Sequence, residues 1–147
     1  MDTAYIEYLG ELRCEATHLR SKRKLLTDAP LDNQGKGGAF SPTDLLCTSL
    51  ATCMMTLMGI AAREKDIALS DVSARVVKHM ASGPRRVVGV EVHVRLSDQG
   101  YSDRERAILE HAARTCPVAM SIHPGIDVVM TFTYAGTEGE DGGSGKG

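Results

Sequence analysis

The chain has 147 residues, of which 42% are hydrophobic, and its formal net charge is −2. This length suits one domain with its own core, and a near-neutral charge argues against a nucleic-acid partner. The residues that follow Met1 lack the basic and apolar regions of a signal peptide, so we expect a cytoplasmic protein whose four cysteines are reduced.

Residues 4–26 are predicted to form strands, because apolar and polar residues alternate around Cys14. This places Cys14 in the core. The basic segment 21–24 is expected at a turn. Arg20 and Arg23 are interpreted as solvated side chains of this hairpin, or as groups that reach an anionic sulfur or oxygen if the loop folds over the next helix. Residues 28–39, rich in glycine, are predicted to be a loop and a natural lid.

A buried central helix is predicted over residues 40–63, which include the longest uncharged segment of the chain, residues 45–62. Ser41 is a good N-cap, and Pro42 suits the first helical position, where no N–H is needed. Asp44 can accept a hydrogen bond from the Ser41 backbone, as in a capping box. A membrane span is disfavoured by the hydroxyl residues, the minimal length and the absence of a basic or aromatic flank.

The central helix has two different faces, and Cys53 lies on the border between them. The smooth face, which has small and hydroxyl-bearing side chains, would allow another helix to approach closely. The apolar face, which has large Leu and Met side chains, requires a sheet to bury it. Cys53 is either a small buried hydrophobe or a reactive thiol. The smooth face carries Thr48, Ser49, Thr52, Thr56 and Gly59, and the apolar face carries Leu46, Leu50, Met54, Leu57 and Met58.

The second half of the chain alternates strands and helices. Alternating valines predict an antiparallel hairpin that turns at Gly83-Pro84. A capping box of Ser102 and Glu105 predicts a helix over 103–115, followed by a short helix over 117–122. A last strand covers 128–134, and residues 135–147 are expected to be a disordered tail.

Cys116 is predicted to be the N-cap of the short helix, where unpaired N–H groups and the positive helix end lower a thiol pKa. The alternative is an inert thiol buried at a helix junction. The four cysteines lack CxxC or Cys/His spacing, so neither a metal nor a cofactor is expected.

Two motifs, SPTDLLCTSLATC (41–53) and CPVAMSIHP (116–124), resemble the OsmC/Ohr family in their order and spacing. The resemblance covers residues 4–134, and it is closest to the less characterised OsmC-like branch. It implies an α+β fold with antiparallel sheets packed on the buried helix. It also implies an intertwined homodimer with an active site at each subunit interface.

The same resemblance implies a thiol peroxidase cycle in which Cys53 matches the peroxidatic cysteine and Cys116 the resolving cysteine. A dithiol would reduce the disulfide that they form. In the best-known members a glutamate follows the proline and pairs with an activating arginine. Here Thr43 takes that position and Asp44 is the nearest acid, with Arg20 and Arg23 as candidates for the arginine.

Two functions therefore compete. The first is a cytoplasmic peroxidase that reduces organic hydroperoxides in oxidative-stress defence, and its catalytic candidates are Cys53, Cys116, Asp44, Arg20 and Arg23. The second is a redox-inactive dimeric module that binds a small hydrophobic or acyl-like ligand and whose cysteines are merely buried. Neither function requires nucleic acid or a membrane.

Overall fold

A computed structural model describes residues 1–136 of the chain. They form two compact units, Met1–Leu46 and the described part of Cys47–Gly147. The tail prediction concerns residues 135–147; Ala135 ends the last strand instead, and residues 137–147 lie outside the described part.

The first unit contains a three-stranded antiparallel sheet made of β1 (Ala4–Gly10), β2 (Arg13–His18) and β3 (Lys24–Asp28), in that order. The strands agree with the prediction. Cys14, however, is only half-buried, and its neighbour across the sheet, Tyr8, is exposed. Alternation identified the strand correctly but did not determine whether either of its faces is covered.

The loop after β3 is tied to the sheet by a buried carboxylate. Asp28 accepts hydrogen bonds from the Gly38 N–H at 2.9 Å and from Arg13 Nη2 at 3.3 Å. A Cβ at Gly38 would lie 2.9 Å from Arg13 Nη2 and 3.1 Å from Asp28 Oδ2, so a side chain there would displace the end of Arg13 from this pair. Backbone bonds, including Asp28 N–H to Phe40 O at 3.0 Å, close the loop. The loop predicted as a lid is therefore anchored at both ends.

Asp28→Asn should lower the urea midpoint at pH 7. The hydrogen bond from the Gly38 N–H lowers the pKa of Asp28, burial raises it, and Arg13 lowers it further, so that the pKa lies below its ordinary value. Since the folded-state pKa is depressed, the ionised carboxylate stabilises the fold above the ordinary aspartate pKa of about 3.9, and this stability is lost as the pH falls through the folded value. The difference between variant and wild type should therefore shrink near pH 3. Exposed Asp2→Asn is the control, and an equal difference at both pH values would contradict the electrostatic role.

The central helix, α1, spans Pro42–Glu64. Its capping box is present: the Asp44 N–H donates to Ser41 Oγ at 3.0 Å, and the Ser41 N–H donates to Asp44 Oδ2 at 2.9 Å. The helix is long and apolar enough to span a membrane by length and composition alone. One face instead packs into the protein core, so α1 is a core helix.

The second unit is built on a sheet made of β4 (Ser73–Ser82), β5 (Arg85–Ser97) and β6 (Asp127–Ala135), in that order. The β4–β5 hairpin is antiparallel, as predicted. The β5–β6 pair is parallel, so the expected antiparallel arrangement holds for the first of these two pairs and not for the second. Parallel pairing requires a crossover connection, and two helices supply it: α2 (Asp103–Arg114) and α3 (Pro117–Ser121).

The core of the second unit lies between α1 and the sheet. Leu50, Met54 and Met58 of α1 are buried in one cluster with the inward valines of β5, namely Val90, Val92 and Val94. Leu46, expected on this face, is exposed. Cys47 and Ala51 are buried in addition to the predicted residues, so the buried face is rotated slightly from the predicted one.

Candidate functional site

Cys53 lies in the middle of α1, and its side chain is partly buried against the core. Met54 beside it is fully buried, whereas Thr52 and Thr56 are exposed. The border position predicted for Cys53 is therefore present. The Thr52 and Thr56 hydroxyls donate to carbonyl groups of their own helix at 3.1 and 2.8 Å, so these two donors are satisfied within α1.

Cys116 is the N-cap of α3 and is fully buried. Its backbone is extended, as the following Pro117 requires, and its carbonyl accepts the first helical hydrogen bond from the Met120 N–H at 3.1 Å. The capping box of Ser102 and Glu105 that starts α2 is also present. The sequence signals of this region therefore predicted the backbone around Cys116 correctly.

The structure places Cys53 and Cys116 in the same part of the core, close enough for the two side chains to influence each other electrostatically. Burial raises the pKa of the Cys116 thiol, and the N–H groups of Ala119 and Val118 lower it by less; the neighbouring Cys53 raises it further. The expectation of a low Cys116 pKa is therefore wrong. The helix N-terminus acts in the predicted direction, but desolvation of a fully buried sulfur outweighs it.

This arrangement has a chemical consequence. Cys116 is fully buried, so desolvation disfavours its thiolate and favours the protonated thiol. A peroxide can oxidise one of two neighbouring free thiols to a sulfenic acid, and the second thiol can then displace water from it to form a disulfide. Cys47 is buried in the core and Cys14 lies in the first unit.

The other predicted residues belong to the first unit. Asp44 serves the N-terminus of α1 through the capping box. Arg20 and Arg23 are exposed in the turn between β2 and β3. Their catalytic roles stay predictions. Within residues 1–136, His, Cys, Asp and Glu side chains form no group of three or more that could hold a metal ion.

Sequence reasoning did not identify Arg13, the arginine that is paired with buried Asp28 at 3.3 Å. Only the register of β2 against β3 could have indicated this pair. Arg13 and Asp28 are opposite each other on β2 and β3, but this register cannot be derived from alternation alone.

The structure is thus that of an α+β protein in which two cysteines distant in sequence lie at the same core, one partly buried and one fully buried. The family model described as OsmC-like protein matches residues 35–131. The chain belongs to the OsmC-like family. No curated protein sequence matches it.

Solved structures agree with this assignment. A Psychrobacter arcticus 273-4 protein, named for osmotic stress induction and a detoxification response, is 47% identical, with coverage of 92% of this chain and 96% of that one and a TM-score of 0.83. An organic hydroperoxide resistance protein OsmC from Legionella pneumophila is 23% identical, with coverage of 90% and 98% and a TM-score of 0.71. One from Elizabethkingia anophelis is 17% identical, with coverage of 92% and 98% and a TM-score of 0.68. The last two similarities concern the fold alone.

Proposed function

We propose that this protein is a cysteine-based peroxidase that reduces organic hydroperoxides. The observation that carries the proposal is the position of the partly buried Cys53 beside the fully buried Cys116 in one core. The name of the 47% identical relative, which refers to detoxification, is consistent with this chemistry, as are the hydroperoxide-resistance names of the more distant ones.

The proposed cycle has three balanced steps. The Cys53 thiolate attacks one oxygen of the peroxide, the O–O bond breaks, and a sulfenic acid forms while the alkoxide takes a proton to leave as an alcohol. The Cys116 sulfur then attacks the sulfenic sulfur, and water leaves as the disulfide forms. A dithiol reduces the disulfide by two exchange steps and becomes a disulfide itself.

The high Cys116 pKa supports this order of roles. A thiol that retains its proton is a poor first nucleophile, because the thiolate is the reactive form. Loss of the thiolate charge when Cys53 is oxidised removes a cause that raises the Cys116 pKa. Cys116 thus becomes easier to ionise at the step that needs it. We assign activation of Cys53 to Arg20 or Arg23, with Asp44 as the acidic partner.

We further propose that the protein acts in the cytoplasm as a homodimer. The Thr52 and Thr56 side of α1 is exposed, and so are large apolar residues of the first sheet. Exposed apolar clusters of this kind are typical of protein interfaces. In the first sheet they are Tyr5, Ile6, Tyr8, Leu9, Leu25 and Leu26.

Gly59→Leu should convert the dimer to monomer at micromolar concentration. Within residues 1–136, and apart from the backbone of its own helix, a Cβ at Gly59 meets no atom within 4 Å, so this part of the subunit accommodates the larger side chain and a partner helix would clash with it. The measurement is light scattering at several concentrations. Ala107→Leu, on the exposed side of α2, is the matched control. A monomeric wild type, or an unchanged Gly59→Leu dimer, would contradict the packing of this face.

A second candidate function rests on an open groove of about 810 Å³ in the first unit. Leu25, Leu26 and Phe40 line it, with the Lys24–Glu15 ion pair among its polar groups. This volume suits a small apolar ligand, as a binding module would require. Saturable binding of such a ligand in the absence of any peroxide reduction would favour this function.

The test of the proposed function is consumption of cumene hydroperoxide by the purified protein with a dithiol as reductant. We expect many turnovers per subunit, with the rate proportional to protein concentration. Consumption equal to that of the dithiol alone would reject the peroxidase and leave the binding module as the better explanation.

A further inference from the structure

Helix α2 leads directly to Cys116 and packs on the core through three apolar residues. Leu109 and Ala113 are buried, and Ile108 is partly buried against the same core. Ala113 is the only one of the three in the last turn before Cys116, and it offers a single methyl group. Because hydrophobic stabilisation is proportional to the apolar area buried, the position of this last turn also depends on other contacts.

Two arginines of α2 stack on two aromatic rings of β6. The Arg106 guanidinium carbon lies 4.2 Å from the centroid of the Tyr134 ring, and that of Arg114 lies 5.2 Å from the centroid of Phe132. Both distances are within the range of a cation–π interaction. Phe132 and Tyr134 are two residues apart on one strand, so they present their rings on the same face.

Carboxylates connect these stacks. Arg106 Nη2 lies 3.2 Å from Asp98 Oδ2, and the Tyr134 hydroxyl donates to Glu110 Oε2 at 2.8 Å. The other Glu110 oxygen lies 3.9 Å from Arg114 Nη2. Burial raises the pKa of Tyr134 well above its ordinary value, so its hydroxyl remains a donor. We call this group the α2 clamp: Asp98, Arg106, Glu110, Arg114, Phe132 and Tyr134.

The clamp ends two residues before Cys116. Arg114 is the last residue of α2, Thr115 is its C-cap, and the Cys116 N–H donates to the Ala113 carbonyl at 3.4 Å. A shift of the last turn of α2 therefore moves Cys116 with it. A disulfide requires Cα atoms within about 7 Å and a restricted dihedral angle, so the pairing of Cys116 with Cys53 is sensitive to such a shift.

We infer that the α2 clamp is a positioning device for Cys116, and that Arg114, Glu110 and Tyr134 act through it by holding Cys116 against Cys53. The role of Cys116 as resolving cysteine rests on the proposed function; the geometry of the clamp does not. Without the clamp the two thiols remain in the protein, but their effective concentration falls.

The test is the equilibrium between the Cys53–Cys116 disulfide and glutathione. One glutathione disulfide takes up the two hydrogens of the protein thiols and becomes two glutathiones, so the equilibrium constant reports the effective concentration of the pair. Differential alkylation and peptide mapping measure the Cys53–Cys116 disulfide separately from the thiols of Cys14 and Cys47. Arg114→Ala and Tyr134→Phe should each lower the constant about tenfold, since a misplacement of about 1 Å can reduce such proximity effects by up to 10²-fold.

Arg104→Ala is the matched control, because Arg104 is exposed on the same helix, and its constant should stay within about twofold of wild type. Tyr134→Phe keeps the ring and removes only the hydroxyl, so it remains informative if Arg114→Ala does not fold. Wild-type constants in both clamp variants with native circular dichroism would overturn the inference, even if their melting temperatures fall. The assay uses no peroxide, so failure of the clamp and failure of the peroxidase are separate results.

Discussion

Cys53→Ser should abolish peroxide turnover, whereas Cys116→Ser should permit one oxidation and then accumulate the Cys53 sulfenic acid. The asymmetry follows from the roles of the two sulfurs. Without Cys53 the proposed attacking thiolate is missing, but without Cys116 the attack still occurs and only resolution fails. Serine is close to cysteine in size, so each variant should retain the packing.

The measurement is stopped-flow thiol oxidation, together with chemical trapping of the sulfenic acid. Wild type should show many turnovers with a dithiol, Cys116→Ser a single burst of about one equivalent per subunit, and Cys53→Ser no burst. Cys14→Ser is the control and should behave as wild type. A burst that persists in Cys53→Ser and disappears in Cys116→Ser would reverse the two roles.

Alkyl hydroperoxides should be reduced roughly 10–200-fold more efficiently than hydrogen peroxide, in kcat/KM. Leu57 lies one helical turn after Cys53 and Val118 follows Cys116 by two residues, and both are only partly buried. An alkyl chain that covers such side chains gains about 1–3 kcal/mol, whereas hydrogen peroxide has no chain to bury.

Leu57→Ala tests this source of preference. It should lower kcat/KM for cumene hydroperoxide several-fold and leave the value for hydrogen peroxide near that of wild type. Leu50 and Met54 are less informative positions, because they are fully buried in the core and their truncation would destabilise the fold. Equal loss for both peroxides in Leu57→Ala would show that Leu57 supports Cys53 rather than the substrate.

Local signals predicted much of the backbone. The capping boxes at Ser41/Asp44 and Ser102/Glu105 are short-range hydrogen-bond patterns, and both are present. The parallel pairing of β5 with β6 was not predictable in this way. A buried parallel strand and an inward-facing antiparallel strand carry similar apolar residues, and the difference lies in the long-range crossover through α2 and α3.

In the candidate site, too, some features could be predicted from the sequence and others depend on tertiary packing. The resemblance paired Cys53 with Cys116, and the structure places both residues at the same core, while their catalytic roles stay predictions. The Cys116 pKa was mispredicted because a helix N-terminus can be recognised from Cys-Pro-Val, whereas complete burial of the sulfur depends on tertiary packing. The α2 clamp was missed for a related reason, since Arg106 and Tyr134 are distant in sequence and meet only across the crossover.

The central claim is that Cys53 and Cys116 form one redox pair, and peptide mapping after mild oxidation tests it most directly. The reduced protein is treated with one equivalent of cumene hydroperoxide, alkylated and digested. We predict an intrasubunit Cys53–Cys116 disulfide as the main product, with Cys14 and Cys47 alkylated. A main product that involves Cys14 or Cys47, or four alkylated thiols after complete exposure to the peroxide, would contradict the claim.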